Sequence, residues 1–286
     1  MAPPARLEPT LGTVLIPIPS RDFDPTEVAV PWKVLAARGH TVRFATPDGL
    51  PGRADERMLT GRGLGIWKAL LRADANALRA YAEMVASPEF TQPGRHSNPK
   101  LPTSTAVILP GGHAPGMKPY LESAVLQALV VAAFEQGRPV GAICHGAVLA
   151  ARSRSADGRS VLHGRKTTAL TRVLELTAWA LTAPWLGNYY RTYPMTVQRE
   201  VSAVLASPAD FVAGPIAIAR DSPSRLDAGF TRARRFLPVG ALAGRCAPLR
   251  ERLRHASRFH STGPGRNDRE EAVTESSVPS RRRFKR

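Results

Sequence analysis

The sequence predicts an α/β fold built around a mostly parallel sheet. Strand-like and helix-like segments alternate through the first 170 residues, which is the pattern of βα units. The strand-like segments, such as 105–109, are continuous apolar runs, as expected where helices cover both faces of a sheet. In the run 139–147, an apolar strand gives way to Cys144, His145 and small residues. A sharp turn from strand to helix of this kind can hold one side chain up at the carboxyl end of the strand.

The composition is that of a globular protein. The chain has 286 residues, of which 43% are hydrophobic, enough to bury a core. Residues 1–10 contain no apolar leader segment, and no run reaches the roughly 18 apolar residues of a membrane span. We therefore expect a cytoplasmic protein without a membrane partner. Two cysteines, Cys144 and Cys246, do not form a disulfide framework and indicate a reducing compartment.

The formal net charge of +17 is concentrated at one end of the chain. Residues 231–286 hold 15 lysines and arginines against 5 acidic residues, so a solvated basic tail accounts for most of the charge. Phosphate binding is the alternative interpretation of this tail. No interleaving of basic and aromatic residues marks an RNA-binding sheet, and no ligand spacing marks a zinc finger. We expect no specific nucleic-acid partner.

The first βα unit begins with an apolar strand over residues 13–18. Asp24 and Glu27 occupy the N-cap and third positions of a helix that extends to residue 37. The next strand covers residues 41–45 and ends in a turn rich in proline and glycine.

Residues 50–100 interrupt this alternation. Glycine-rich and proline-rich stretches flank one helical piece near residues 75–86, which predicts an insertion or small cap over the sheet. The alternation resumes with a strand over 105–109, a helix over 123–136 and the strand 139–143 that carries Cys144.

The C-terminal part gives weaker signals. We predict a short strand over 166–170, a helix over 171–181, and strands over 201–205 and 211–219. Apolar periodicity fails from residue 231, and the last 25 residues are rich in Ser, Arg, Gly and Glu. One domain over 11–230 followed by a disordered basic tail, 231–286, is therefore expected.

Three groups of polar or small residues follow strands and therefore converge at one edge of the predicted sheet. Glu27 begins the helix after the first strand, Gly111, Gly112 and His113 follow the third, and Cys144 and His145 follow the fourth.

A cysteine at a helix N-terminus beside a polar partner reacts more readily as thiolate. Glu27 and His145 are the candidate partners of Cys144. The backbone amides of His145 and of the Gly111–Gly112 turn are candidate donors to an oxyanion formed when the sulfur attacks a carbonyl.

Each of these residues also has a purely structural interpretation. Cys144 is explained as a small buried hydrophobe, and Glu27 as the third residue of a capping box. In that interpretation Gly111 and Gly112 form a tight turn, and His113 and His145 are polar groups whose hydrogen-bonding capacity is satisfied. The coincidence of all these residues at one sheet edge favours a catalytic site.

Three motifs resemble those of the ThiJ/PfpI family in the class I glutamine amidotransferase-like superfamily. They are 24–32 (DPTEVAVPW), 107–113 (VILPGGH) and 142–146 (AICHG). The resemblance covers residues 11–230, and the nearest branch is that of the heat-shock chaperone with glutathione-independent glyoxalase III activity. It implies a flavodoxin-like sandwich with a nucleophile elbow at Cys144.

The resemblance also implies a chemistry and a set of site residues. The catalytic residues are Cys144, His145 and Glu27, with the Glu27 carboxyl hydrogen-bonded to the thiol and Gly111, Gly112 and His113 forming the substrate-binding turn. A small carbonyl compound such as methylglyoxal is the expected substrate, and related deglycase or hydrolase chemistry is a variant. No metal or organic cofactor is needed, and a homodimer is expected.

Two other function classes are compatible with the same motifs. One is a stress-protective chaperone or binding protein in which Cys144 senses oxidation. The other is an amidotransferase-like hydrolase. The absence of a His-x-Glu pair between residues 160 and 230 is evidence against this second class. The third member of a triad is not assigned, because the segment after Thr168 offers only Glu175, on a predicted helix.

The tail departs from the family pattern. Relatives close the fold with a strand resembling Tyr-Leu-Ser-Ala-Arg-Trp-Pro-Gly-Asp-Ala, which this chain lacks. One choice of codons for residues 237–247, read one base later, encodes Phe-Leu-Ser-Ala-Arg-Trp-Pro-Gly-Asp-Ala. A frameshift near residue 231 is therefore an alternative to a native tail, and the bases of the gene decide between them.

Overall fold

The computed structural model describes residues 12–97, 106–214, 230–234 and 237–241, with strands and helices alternating through the first half of the chain. The strands are β1 (Thr13–Pro17), β2 (Arg21–Phe23), β3 (Thr41–Thr46), β4 (Arg53–Ala54), β5 (Gly94–Arg95), β6 (Ala106–Leu109), β7 (Val140–Ile143), β8 (Phe230–Arg234) and β9 (Leu237–Ala241). The helices are α1 (Pro25–Ala36), α2 (Glu56–Thr60), α3 (Lys68–Leu71), α4 (Ala75–Val85), α5 (Pro88–Thr91), α6 (Lys118–Leu121), α7 (Ala124–Glu135), α8 (Gly146–Arg152), α9 (Arg172–Leu186) and α10 (Val197–Val204).

A seven-stranded sheet forms the centre of the fold, with the strand order β5-β3-β1-β6-β7-β9-β8. Every neighbouring pair is parallel except β8 and β9. Strands β2 and β4 form a separate parallel pair. The predicted α/β class with a mostly parallel central sheet is confirmed.

The central strands are buried because helices flank the sheet. Leu15 and Ile16 of β1 and Leu109 of β6 are at most 1% exposed. Helix α1 packs against β3 and α4, whereas α7 and α8 contact β6 and β7. Continuous apolar strands are what a sheet covered in this way requires.

Helix α1 begins as the sequence predicts. Asp24 is its N-cap, and its side chain accepts hydrogen bonds from the backbone amides of Thr26 (2.7 Å) and Glu27 (3.2 Å). The amide of Asp24 itself donates to the Gly111 carbonyl (3.1 Å). The start of α1 is thereby tied to the turn after β6.

Two C-terminal strand predictions are wrong within the described residues. The predicted strand 201–205 lies largely in helix α10, where Val197 and Val201, four residues apart, are both buried. This helical spacing outweighs the strand preference of valine. In the predicted strand 166–170, only Thr167 pairs, through an isolated bridge to Phe211.

In the predicted strand 211–219, residue 211 forms the isolated bridge to Thr167. Residues 215–219 of this prediction lie outside the described residues. The sheet itself continues past residue 230, the predicted end of the domain. Strand β9 pairs with β7, and β8 pairs with β9, so residues 230–234 and 237–241 contribute strands to the sheet. Residues 242–286, with the rest of the predicted tail, lie outside the described residues, and the frameshift stays a prediction.

The insertion at residues 50–100 adds to the sheet and to its helical layer. Strand β5 pairs with β3 at the edge of the sheet. Helix α4 packs on α1 and buries Ala77, Ala80 and Met84. Within the described ranges, no helix combines the length and apolarity that a membrane span requires.

Gly146, the first residue of α8, allows the closest backbone approach near the end of β7. A Cβ atom at this position would collide with the Leu109 carbonyl and lie 2.9 Å from the Pro110 oxygen. We expect Gly146→Ala to lower the free energy of unfolding by about 2–3 kcal/mol, because backbone would have to shift. Urea denaturation measures this loss.

Gly94→Ala is the matched control. A Cβ at residue 94 would meet only the Phe44 carbonyl oxygen at 3.7 Å, an ordinary contact, so a loss below about 1 kcal/mol is expected. Equal losses in the two variants would contradict the proposed crowding at Gly146.

Candidate active site

Cys144 lies between β7 and α8 in a strained turn. Its φ angle is +52°, and among the described non-glycine residues only Asp22 shares a positive φ. Such a conformation costs about 1–3 kcal/mol and persists only where the surroundings impose it, often at functional sites. The side chain is fully buried, and the backbone amide of His145 donates a hydrogen bond to its sulfur.

Two imidazoles face the sulfur. The Cys144 Sγ atom lies 3.5 Å from Nε2 of His113 and 3.5 Å from Nδ1 of His145. The two rings are nearly perpendicular, with centroids 4.7 Å apart. Burial lowers the pKa of His113 to about 4. Burial and the neighbouring His113 lower the pKa of His145 well below its ordinary value, so both rings are neutral at pH 7.

Glu27 approaches the sulfur from the first turn of α1. Its Oε2 atom accepts a hydrogen bond from the Gly111 amide (2.7 Å), and the Cys144 thiol donates to its carboxyl. The side chain therefore points into the site, and the capping-box interpretation of Glu27 is wrong. The Gly111 amide is occupied by this bond, so it is not an oxyanion donor in this state.

Burial favours the uncharged forms of the Glu27 carboxyl and the Cys144 thiol. Burial, followed by the negative charge of Asp24, raises the pKa of Glu27 well above its ordinary value. Burial and the neighbouring Glu27 raise the pKa of Cys144 in the same direction. Burial thus opposes the lowered cysteine pKa that the sequence predicts, and the activation of Cys144 stays a prediction.

Gly111 and Gly112 allow the turn after β6 to approach the start of α8 and the start of α1 closely. A Cβ at Gly111 would lie 2.7 Å from the His145 nitrogen and 2.8 Å from Glu27 Oε2. A Cβ at Gly112 would lie 3.0 Å from the backbone nitrogen of Asp24. The six residues predicted from the sequence thus lie together: His113, His145 and Glu27 contact the Cys144 sulfur, Gly111 packs against His145 and Glu27, and Gly112 packs against the start of α1.

Sequence reasoning missed a second set of residues that hold His113. The Tyr190 ring meets the His113 ring edge to face at 6.3 Å, and its hydroxyl donates to Asp55 Oδ2 (2.8 Å). Burial raises the pKa of Asp55 to about 6, although the Tyr190 hydrogen bond opposes this shift. Thr192 Oγ1 donates to the His113 carbonyl (2.6 Å). No local pattern marks these residues, because Asp55 and Tyr190 are 135 positions apart.

Glu175, the acid left unassigned in the sequence, has structural partners. It lies on α9 and is 2% exposed. Its carboxylate accepts hydrogen bonds from the Arg191 guanidinium (2.8 Å) and from the Val197 amide (2.7 Å). Among the hydrogen bonds of the described residues, none joins His145 to a carboxylate. Glu175 therefore ties α9 to the start of α10.

A sequence profile described as ThiJ/PfpI family-like matches residues 18–215. The uncharacterised protein C14C4.04 of Schizosaccharomyces pombe is 30% identical over 117 residues, which are 40% of this chain and 42% of that relative. The match thus spans less than half the length of this curated relative.

Two solved structures share the fold. Glyoxalase III from Candida albicans superposes with a TM-score of 0.58 at 16% identity, over 81% of this chain and 91% of that chain. The Rapid Encystment Protein 24 kDa of Francisella tularensis superposes with a TM-score of 0.55 at 14% identity, over 81% and 92%. These superpositions confirm the predicted flavodoxin-like architecture.

We expect Glu175→Gln to lower the free energy of unfolding by about 2–3 kcal/mol, because Arg191 loses its buried partner. The rate at which iodoacetamide alkylates Cys144 should stay within about twofold, since Glu175 makes no contact with the thiol and its charge is the smallest of the effects that raise the Cys144 pKa. Urea denaturation and peptide mass spectrometry measure the two quantities. Glu83→Gln, which breaks a half-exposed pair with Lys33, is the control and should cost less than about 1 kcal/mol.

An unchanged free energy of unfolding together with a strongly altered alkylation rate in Glu175→Gln would instead assign Glu175 to the catalytic machinery.

The lowered pKa of His113 predicts a pH-dependent stability. As the pH falls from 6.5 towards 4, the unfolded chain binds a proton at His113 before the folded chain does, so stability is lost across this window. His113→Asn should remove a contribution of at most about 3 kcal/mol to this loss. Urea denaturation at pH 7.5 and at pH 4.5 compares the two proteins, and an identical pH slope would contradict the assignment.

Proposed function

Because this chain belongs to the ThiJ/PfpI family, we propose that it is a cysteine-dependent enzyme acting on small carbonyl compounds. Conversion of methylglyoxal to lactate, as in glyoxalase III, is the specific reaction proposed. The observation that supports it is the contact of one buried thiol with two imidazoles, at 3.5 Å each, and with the carboxyl of Glu27, whose pKa burial raises. Such a set of groups can accept and donate protons during a reaction.

The first step forms a covalent hemithioacetal. The Cys144 sulfur attacks the aldehyde carbon of methylglyoxal, and its proton passes to a neutral imidazole, for which His145 Nδ1 at 3.5 Å is the proposed acceptor. The carbonyl oxygen receives a proton from the carboxyl of Glu27, and the amide of Gly112 is a proposed neighbouring donor.

The second step moves hydrogen between adjacent carbons. The Glu27 carboxylate, ionised by the first step, removes the proton from the former aldehyde carbon and returns it to the former ketone carbon. His145, protonated in the first step, gives its proton to the ketone oxygen and takes the hydroxyl proton from the first carbon. The first carbon is thereby oxidised to a thioester while the second is reduced to an alcohol. Because the two changes balance within the substrate, no external oxidant, reductant or cofactor is required.

Water completes the cycle. It attacks the thioester carbon, the carbon–sulfur bond breaks, and lactate leaves while Cys144 regains its proton. The Glu27 carboxylate removes a proton from this water, and His145, protonated since the first step, returns its proton to the sulfur.

The structural observations give less support to the two alternatives. Oxidation by peroxide follows thiolate character, whereas the pKa of Cys144 is raised by burial, which disfavours a peroxide sensor. Glutaminase-type hydrolysis requires an acid behind the histidine, and Glu175 is engaged by Arg191 and Val197.

Cys144→Ala should abolish lactate formation from methylglyoxal, because no other group can form the hemithioacetal. Enzymatic determination of lactate measures the activity, and circular dichroism checks that the fold is retained. Cys246→Ala is the control with full activity. Turnover by folded Cys144→Ala protein would refute the proposal.

Glu27→Gln should lower kcat by about 10²- to 10⁴-fold, the usual contribution of a general acid or base. The amide keeps a carbonyl oxygen that can accept the Gly111 hydrogen bond but has no acidic proton. If kcat stays within about threefold of the native value, the proton-transfer role belongs to another residue.

A further inference from the structure

We propose that His113, Cys144 and His145 form an inhibitory binding site for Zn²⁺. Each residue offers one ligand atom, and these atoms all lie within 4.8 Å of one another. One thiolate and two imidazoles make a ligand set that zinc accepts, and three protein ligands leave a fourth position for water.

The two sulfur–nitrogen distances suit tetrahedral zinc. With a Zn–S bond of about 2.3 Å and Zn–N bonds of about 2.0–2.1 Å, tetrahedral angles place the sulfur about 3.6 Å from each nitrogen. The Cys144 Sγ atom lies 3.5 Å from His113 Nε2 and 3.5 Å from His145 Nδ1. The imidazoles are crossed at 76°, so both can face one ion without stacking on each other.

The ligands are held in place by groups that do not themselves ligate. Thr192 Oγ1 bonds the His113 carbonyl, and the Tyr190 ring packs against the His113 ring. The strained turn and the His145 amide fix the sulfur. Supporting contacts of this kind orient the ligands of metal sites. His113 is the half-buried member of the set, so the ion enters beside its ring.

Zinc binding replaces the thiol proton of Cys144 with the metal ion. The Cys144 S–H bond breaks, a Zn–S bond forms, and the proton goes to solvent, so one proton is released for each ion bound. The metal then occupies the sulfur lone pair needed for attack on a carbonyl and the nitrogen lone pairs needed to accept protons. The ion therefore blocks the proposed reaction and does not assist it.

The inhibitory part of this inference rests on the proposed function, whereas the binding part does not. A chain that binds zinc at Cys144 but never forms lactate would overturn only the proposed function. An active chain whose Cys144 is unaffected by zinc would overturn only this inference.

The test titrates ZnCl₂ into the metal-free, full-length chain. We expect one ion per chain at this site, one proton released in weakly buffered solution, and alkylation of the Cys144 peptide by iodoacetamide slowed at least about tenfold. EDTA should restore the rate. Co²⁺ in place of Zn²⁺ should give the intense visible bands of tetrahedral cobalt and a thiolate charge-transfer band.

The variants separate this site from other metal-binding groups. Cys144→Ser, His113→Asn and His145→Asn should each weaken binding at least about tenfold, in a Cys246→Ser background that removes the other cysteine. His163→Asn is the control with unchanged binding, because this exposed histidine contacts the Val204 carbonyl away from the site. Unchanged alkylation of Cys144 at saturating zinc, or undiminished binding in folded Cys144→Ser protein, would overturn the proposal.

Discussion

The exclusion of water from the surroundings of Cys144 is the constraint on which the site depends. Burial is the largest cause of every shifted pKa in the cluster, raising those of the thiol and of Glu27 and lowering those of the two histidines. An isolated buried charge costs far more than a neutral hydrogen-bonding group. Burial therefore favours the uncharged form of each of the four groups.

Close backbone packing creates this dry environment. The turn after β6 and the turn after β7 meet at Gly111 and Gly146, where a single Cβ atom would collide with neighbouring backbone. The N-terminus of α1 joins the same point through Glu27 and Asp24. Because parallel strands place their carboxyl ends at one sheet edge, three segments distant in sequence converge on one sulfur. The proposed carbonyl chemistry and the proposed zinc site both depend on this convergence.

Much of the fold was predictable because its signals are local. The apolar runs predicted β1, β3, β6 and β7, and the capping pattern of Asp24 predicted the start of α1. Helix α10 was missed because a short valine-rich segment has strand preference, whereas its burial follows the helical spacing of Val197 and Val201. The strand β9 was missed because Leu237–Ala241 has no periodicity of its own and forms by pairing with β7.

The sequence alone determined which residues gather at the site, because strand ends and the residues that follow them are encoded locally. Only the tertiary structure decided what those residues are chemically. The hydrogen bond of Glu27 to Gly111, the link from Asp55 through Tyr190 to His113, and the engagement of Glu175 by Arg191 all join distant segments. Protonation states depend on burial and on such long-range partners, and neither can be inferred from residues that are adjacent in sequence.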